Sequence, residues 1–189
     1  ALDLPGHGER FDKLAQNPEA VMSTIENAAD EINDVMNDLG RRGEFDLNRA
    51  AIGGMSMGGM VSMVRLCRPN QFRAAIFESA SGSWRHQLRR QFFNEKVIAE
   101  IDPIRHLQGW REIPVLAVHS RHDEWVFWEG QEAFLDALRA RYTNPEMIET
   151  LLFEKTGAKY EHLGFGRESN IVRMREIEFL QSHLLESPT

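Results

Sequence analysis

A single cysteine, Cys67, in 189 residues excludes an intramolecular disulfide. Its place among Met63, Val64 and Leu66 marks it as a packing residue. No apolar run approaches the roughly 20 residues that a membrane-crossing helix needs. Basic residues are few and scattered: 22 Lys and Arg against 29 Asp and Glu leave a formal net charge of -7. With no basic run, neither nucleic acid nor a membrane surface is an expected partner, and a small neutral or apolar molecule fits better. Internal repeats and low-complexity linkers are absent, so nothing divides residues 1–189 into two domains. There is no charged leader followed by an apolar stretch, and no initiator Met. Ala1-Leu2 reads as the tail of a buried strand entering the Pro5-Gly6 turn, so further sequence is expected upstream. The expected compartment is cytoplasmic.

What the sequence does contain is an alternation of helix and strand. Asn17-Pro18-Glu19 supplies a cap, a first-turn proline and a first-turn acid. Val21, Ile25, Ala28, Ile32, Val35 and Leu39 then recur at helical spacing as far as Gly40. Ala50 to Gly53 is a short apolar run ending in glycine, and Ser56 to Leu66 can form a helix that stops before Pro69. Arg73 to Phe77, Val115 to His119 and Thr150 to Phe153 read as further buried strands. Phe127, Gln131, Phe134, Leu135 and Leu138 continue at helical spacing, and Ile177, Leu180 and Leu184 mark a closing helix. Strands separated by helices predict an α/β class, a mostly parallel sheet with helices on both faces. The segment from Trp84 to Ile113, with Leu88, Phe92 and Phe93, is longer than a crossover requires and is expected as a small lid.

Gly54-Met55-Ser56-Met57-Gly58 lies where a strand turns into a helix, the context in which Gly-x-Ser-x-Gly carries nucleophilic chemistry. The glycines are expected to let strand and helix approach, with Ser56 in a strained turn above the sheet. The helix then aims the Met57 backbone N–H at an anion forming beside Ser56, as an oxyanion-hole donor. A glycine-rich turn before a helix can also hold a phosphate, but no Lys-Ser or Lys-Thr pair follows it.

A serine hydroxyl needs an adjacent base, itself oriented by a third group. His119-Ser120-Arg121-His122-Asp123-Glu124-Trp125-Val126 begins at a strand end, which puts Asp123 in a loop at the sheet's carboxyl edge, where open α/β sheets place their sites. Glu124 and Asp102 compete for the same role, and a loop Asp is also a common turn former. Glu161-His162-Leu163-Gly164-Phe165-Gly166 follows the last strand, so His162 sits in a glycine-bearing loop able to reach across the sheet. Ser56, Asp123 and His162 come from successive strand ends in the order Ser, Asp, His, which raises all three together.

The other histidines read more simply. His7 is structural in its Pro-Gly-His-Gly turn, and His86, His106 and His183 are expected at the surface without partners. His119-x-x-His122-Asp123 offers metal-ligand types, but the acid-loop reading explains it better, so neither metal nor cofactor is expected. Met55, Met57, Met60 and Met63 could line an apolar acyl pocket, although core packing is the plainer account for most of them.

These motifs resemble the α/β-hydrolase superfamily over essentially the whole chain. Asp3-Leu4-Pro5-Gly6-His7-Gly8-Glu9 is similar to the turn after its fourth strand, and Gly54 to Gly58 to its nucleophile elbow. His119 to Val126 is similar to its acid loop, in which a His-Gly pair precedes the Asp and Val-Pro follows; here Ser120 replaces Gly and Phe127 replaces Pro. Asp102-Pro103-Ile104 to Pro114, and Thr156-Gly157-Ala158 to Gly166-Arg167, resemble bacterial esterases related to dienelactone hydrolases and the catalytic domains of prolyl oligopeptidases. The resemblance implies a single α/β-hydrolase domain truncated at its N-terminus, without its first strands or the loop that carries the second oxyanion donor. It also implies an exposed sheet edge beside Ala50 to Gly53, through which a homo-oligomer could form. The activity expected is carboxylic ester hydrolysis of a small-molecule ester through an acyl-enzyme. The alternatives are a serine peptidase of the oligopeptidase type and a catalytically impaired fragment of the fold.

Overall fold

The computed structural model describes residues 2–15, 17–90, 93 and 95–185. Its first long element, α1 (Val21–Arg42), begins behind a 3-10 turn, Pro18–Ala20; Asn17 heads that turn but makes no side-chain cap bond. The helix also runs through Gly40, where the spacing predicts a stop, and ends at Gly43 with φ 67°. A glycine inside a helix costs only about 1 kcal/mol relative to Ala, whereas the left-handed residue that closes a helix favours glycine strongly. The second glycine therefore sets the boundary.

Four strands follow in alternation with helices: β1 (Ala51–Met55), α2 (Met57–Leu66), β2 (Ala74–Glu78), α3 (Glu95–Ile101), β3 (Val115–Ser120), α4 (Trp128–Arg139), β4 (Ile148–Phe153) and α5 (Ser169–Leu184). They form one parallel sheet in the order β1-β2-β3-β4, with Gly54 opposite Phe77, Ala75 opposite Val115 and Val118 opposite Leu151. The expected α/β class with helices on both faces is what the chain adopts.

Each strand is apolar on both sides, as a doubly covered parallel sheet requires, and successive residues point to opposite faces. Ala75 and Phe77, Val115 and Ala117, and Leu152 face a core shared with Ile25 and Ala29 of α1, Met63 and Leu66 of α2, and Phe134 and Leu138 of α4. Ala74 and Ile76, Leu116 and Val118, and Leu151 and Phe153 face Val172, Phe179, Leu180 and Leu184 of α5. Ile177, one of the three residues that signal α5 in the sequence, is 44% exposed together with Ile171 and Met174. The buried stripe follows Val172 and Phe179 instead, because 3.6-residue periodicity leaves the facing stripe open when apolar residues occur on two sides.

Ala1 of the expected strand tail and Phe92 of the expected lid segment lie outside the described residues. Leu2 is exposed and in no strand. Within 84–113, Trp84, Phe93, Ile98, Leu107 and Trp110 are buried in the α1-side core, while Leu88 is exposed.

Candidate active site

Ser56 stands between β1 and α2 with φ 53° and ψ -119°, a strained conformation for a residue with a side chain. Its backbone N–H still donates to Glu78 O at 2.8 Å, so the sheet ladder holds the turn until the helix begins. A Cβ on Gly54 would lie 2.7 Å from the Gly58 carbonyl carbon, and one on Gly59 would lie 2.5 Å from Ala80 Cβ. A Cβ on Gly58 would meet open space. The close approach expected of the glycine pair is therefore made by Gly54 and Gly59. Met57 is the first residue of α2, so its N–H belongs to the turn whose donors have no intrahelical carbonyl to bond.

Asp123 is buried, and both of its carboxylate oxygens are engaged. Oδ1 accepts from the N–H groups of Trp125 and Val126, each at 2.8 Å, and Oδ2 faces His162 Nδ1 at 2.7 Å. Its two competitors lie elsewhere. Glu124 is exposed. Asp102 accepts from Trp84 N–H at 3.1 Å, and burial pushes its carboxyl up to about 6 against the lowering effect of that bond and of Arg105.

His162 follows β4 on a loop and is 2% exposed, with Nε2 at 2.9 Å from Ser56 Oγ. Because a carboxylate only accepts, the imidazole carries its proton on Nδ1, and Nε2 accepts from the serine hydroxyl. Hydroxyl, imidazole and carboxylate thus form one hydrogen-bonded row. His119 is fully buried one layer behind it, with Nε2 2.9 Å from Val126 O and 3.6 Å from Asp123 Oδ2, and Nδ1 against the Gln131 side-chain amide. Burial holds its imidazole below the usual value despite those partners. His122 is exposed, 3.7 Å from Glu154, so the two histidines of the metal-like spacing face different surroundings. Among the described residues, no group of three His, Cys, Asp or Glu side chains could hold a metal ion. His86 and His183, expected to lack partners, have them: His86 Nδ1 lies 3.1 Å from Ser83 Oγ, and His183 packs against the Phe179 ring.

A cavity of about 280 Å³ opens beside Ser56 and His162. Val21 and Ile25 of α1, Met57 and Met60 of α2, Phe93 and Val126 make its apolar wall, with Arg90 and Trp125 completing it. Met57 and Met60 therefore line the pocket, and Met63 is core. The Arg90 guanidinium lies 5.8 Å from the centre of the Trp125 ring. That ring in turn stacks on Tyr160 at 5.1 Å and tilts against His162 at the same distance. Trp125 could have been suspected from its place two residues after Asp123. Val21, Ile25 and Arg90 carry no local signal, since only folding brings them to the site. A larger cavity, about 730 Å³, borders Arg85, Glu95, Asp102 and Arg105 and touches none of the row.

Such a row can move the hydroxyl proton to the imidazole as the oxygen attacks a carbonyl, while the carboxylate steadies the cation formed. The sequence profile of the prolyl oligopeptidase family matches residues 6–186. No curated protein matches the sequence. Among solved structures, the chain is similar to acylaminoacyl peptidase from Pyrococcus horikoshii, with 19% identity and a TM-score of 0.69 over 84% of this chain and 28% of that one. It is also similar to TT1662 from Thermus thermophilus, with 22% identity and a TM-score of 0.69 over 98% of this chain and 76% of that one. A puromycin-hydrolyzing peptidase from Mycobacterium tuberculosis gives 23% identity and a TM-score of 0.66 over 83% and 26%. The chain thus spans little more than a quarter of the length of the first of these peptidases.

Proposed function

The chain belongs to the prolyl oligopeptidase family, and from that premise we propose that it is a serine peptidase whose nucleophile is Ser56, general base His162 and orienting acid Asp123. The observation that carries this reading is the continuous row from Ser56 Oγ through His162 to Asp123, at 2.9 and 2.7 Å. The family match favours peptide bonds over the carboxylic esters that the motifs alone suggest, and the ester reading gives way on that ground.

Ser56 Oγ attacks the scissile carbonyl while His162 Nε2 takes its proton; the oxyanion that forms is met by the Met57 N–H at the head of α2. The imidazolium then returns its proton to the leaving amine, which departs and leaves an acyl-enzyme on Ser56. Water, deprotonated by the same nitrogen, releases the acid. Asp123 keeps Nδ1 protonated throughout. The apolar wall of Val21, Ile25, Met60, Phe93 and Val126 suits an apolar side chain next to the scissile bond. The segment 84–113 supplies Arg90 and Phe93 to that wall.

Chromogenic anilides of short acylated peptides and p-nitrophenyl esters of matching acyl length, assayed side by side, test the proposal. Anilide turnover that disappears in Ser56→Ala is expected. Ester turnover with no amide cleavage would return the protein to the esterase class.

A further inference from the structure

Two consecutive residues of the loop that carries the base, Tyr160 at φ 59° and Glu161 at φ 49°, adopt the left-handed region although neither is glycine. Such residues cost about 1–3 kcal/mol each and persist only where the surroundings overdetermine them. His162 comes next, so whatever holds this pair also aims the imidazole.

The Glu161 side chain supplies the hold. Its Oε2 accepts from the Ser120 hydroxyl at 2.8 Å, the Thr156 N–H at 2.6 Å and the Thr156 hydroxyl at 3.0 Å; its Oε1 accepts from the Gly157 N–H at 2.9 Å. Ser120 and Thr156 are fully buried. Burial alone would raise this carboxyl, but the four donors outweigh it and hold it at about 2. The carboxylate thus keeps its full set of bonds over the whole working range of pH.

Ser120 gives the contact its meaning. It is the last residue of β3, and its carbonyl receives the N–H of Asp123 at 3.1 Å. One carboxylate therefore joins the strand end that launches the acid to the loop that launches the base. A backbone bond from Glu124 N–H to Tyr160 O, 3.1 Å, makes a second tie between the same two loops.

We propose that Glu161 is a positioning residue: its carboxylate pins the base loop to the end of β3 so that His162 meets Asp123 and Ser56 at once. The inference rests on the triad reading above and extends it by one residue. Glu161 is hydrogen-bonded to neither Ser56 nor His162, and its effect passes through the imidazole it places. Displacing a reacting group by about 1 Å can cost about 100-fold in rate.

Glu161→Gln in the full-length protein tests this, because the amide keeps the side chain's length but turns an N–H toward donors. We expect kcat on a peptide anilide to fall about 10- to 100-fold with KM nearly unchanged. Labelling of Ser56 by a fluorophosphonate should slow by the same factor, at temperatures where circular dichroism reports a folded protein. A variant with lowered Tm but wild-type kcat and labelling rate would overturn the inference. Should Glu161→Gln not fold, the Ser120→Ala, Thr156→Val pair leaves the carboxylate in place and removes two of its donors. A kcat lowered several-fold is expected there, and an unchanged one overturns the proposal equally. Ser56→Ala separates the two levels: if it is inert while Glu161→Gln is fully active, only the role of Glu161 fails, and if Ser56→Ala still turns over, the triad reading fails with it.

Discussion

His162 Nε2 and Ser56 Oγ stand 2.9 Å apart although 106 residues separate them in the chain. Ser56 follows β1 and His162 follows β4, at opposite ends of the four-stranded sheet. At roughly 4.8 Å per strand the base loop must bring its side chain across about 14 Å. Ser56→Ala and His162→Ala are expected to lose activity to the same degree, about 10⁴-fold or more, because the two act as a unit. Both should remain folded, Ser56→Ala within about 1 kcal/mol of the wild-type unfolding free energy and His162→Ala lower by about 1–3 kcal/mol because Asp123 Oδ2 loses its partner. Single-turnover kinetics with a peptide anilide and equilibrium unfolding check this together, and a tenfold difference between the two variants in kcat would argue against shared action.

The neighbouring acids Asp123 and Glu124 should behave very differently. Asp123 is buried with both oxygens engaged, whereas Glu124 is exposed. Asp123→Asn can present an N–H to His162 and favour the wrong tautomer, so a loss of about 10³- to 10⁴-fold in kcat is expected. Glu124→Gln should stay within about twofold. Steady-state kinetics on the two variants decides between them, and the reverse ranking would displace Asp123 from its role.

Gly54→Ala and Gly58→Ala separate steric need from motif membership. A methyl at Gly54 drives into the backbone of Gly58, while one at Gly58 meets nothing within 4 Å. Overpacking of this kind costs about 1–3 kcal/mol, and Gly→Ala inside a helix gains up to about 1 kcal/mol. Urea denaturation should therefore show Gly54→Ala destabilised and Gly58→Ala unchanged or slightly more stable. Equal destabilisation would contradict the tight crossing of β1 and α2.

Glu78, whose carbonyl holds the Ser56 N–H, has its carboxyl pushed up to about 7, first by burial and then by the Glu176 carboxylate of α5. Glu176 is raised as well, chiefly by burial. Because the folded value lies above the unfolded value of about 4.5, the folded state binds the extra proton. Its stabilising effect is complete below about pH 4 and is lost as pH rises through 7. Replacing Glu176 with Gln keeps a hydrogen-bonding partner and removes the competing charge. The fall in unfolding free energy between pH 5 and pH 8 should shrink by about 1 kcal/mol. Identical pH slopes for variant and wild type would show that the pair does not interact.

Cys67 lies against Pro103 O at 3.5 Å, and burial pushes its thiol up to about 12. With so little thiolate at neutral pH, iodoacetamide should leave activity intact over hours in native buffer, and mass spectrometry should show alkylation only after denaturation. Rapid native labelling would show a thiolate that this setting does not favour.

Much of this molecule is local and could be read directly. Each strand is five or six residues long and mostly apolar. The elbow is legible because a strand-turn-helix with glycines admits few conformations. The order Ser, Asp, His, together with a glycine-bearing loop after the last strand, singles out one histidine from seven. Boundaries were less legible: Gly40 and Gly43 are equal as letters, and only the left-handed φ of Gly43 distinguishes them.

The choice among Asp102, Asp123 and Glu124 needed more, since Asp123 and Glu124 are neighbours in one loop after β3 and Asp102 sits in the connection between α3 and β3. Sequence supports Asp123 through motif and order, and burial with two oxygens held separates it from an exposed neighbour and from an acid serving Trp84. Val21, Ile25 and Arg90 reach the pocket from elements far from Ser56 in the chain, and no periodicity can announce a meeting set by how a helix docks on a sheet. Sequence by itself determined the alternation, the elbow and the candidate serine and histidine of the row, because these depend on backbone preferences and on chemistry each residue carries alone. Tertiary structure alone decided which carboxylate meets the imidazole, what lines the cavity and how Glu161 ties two loops, because those facts are distances between groups that the chain joins only through folding.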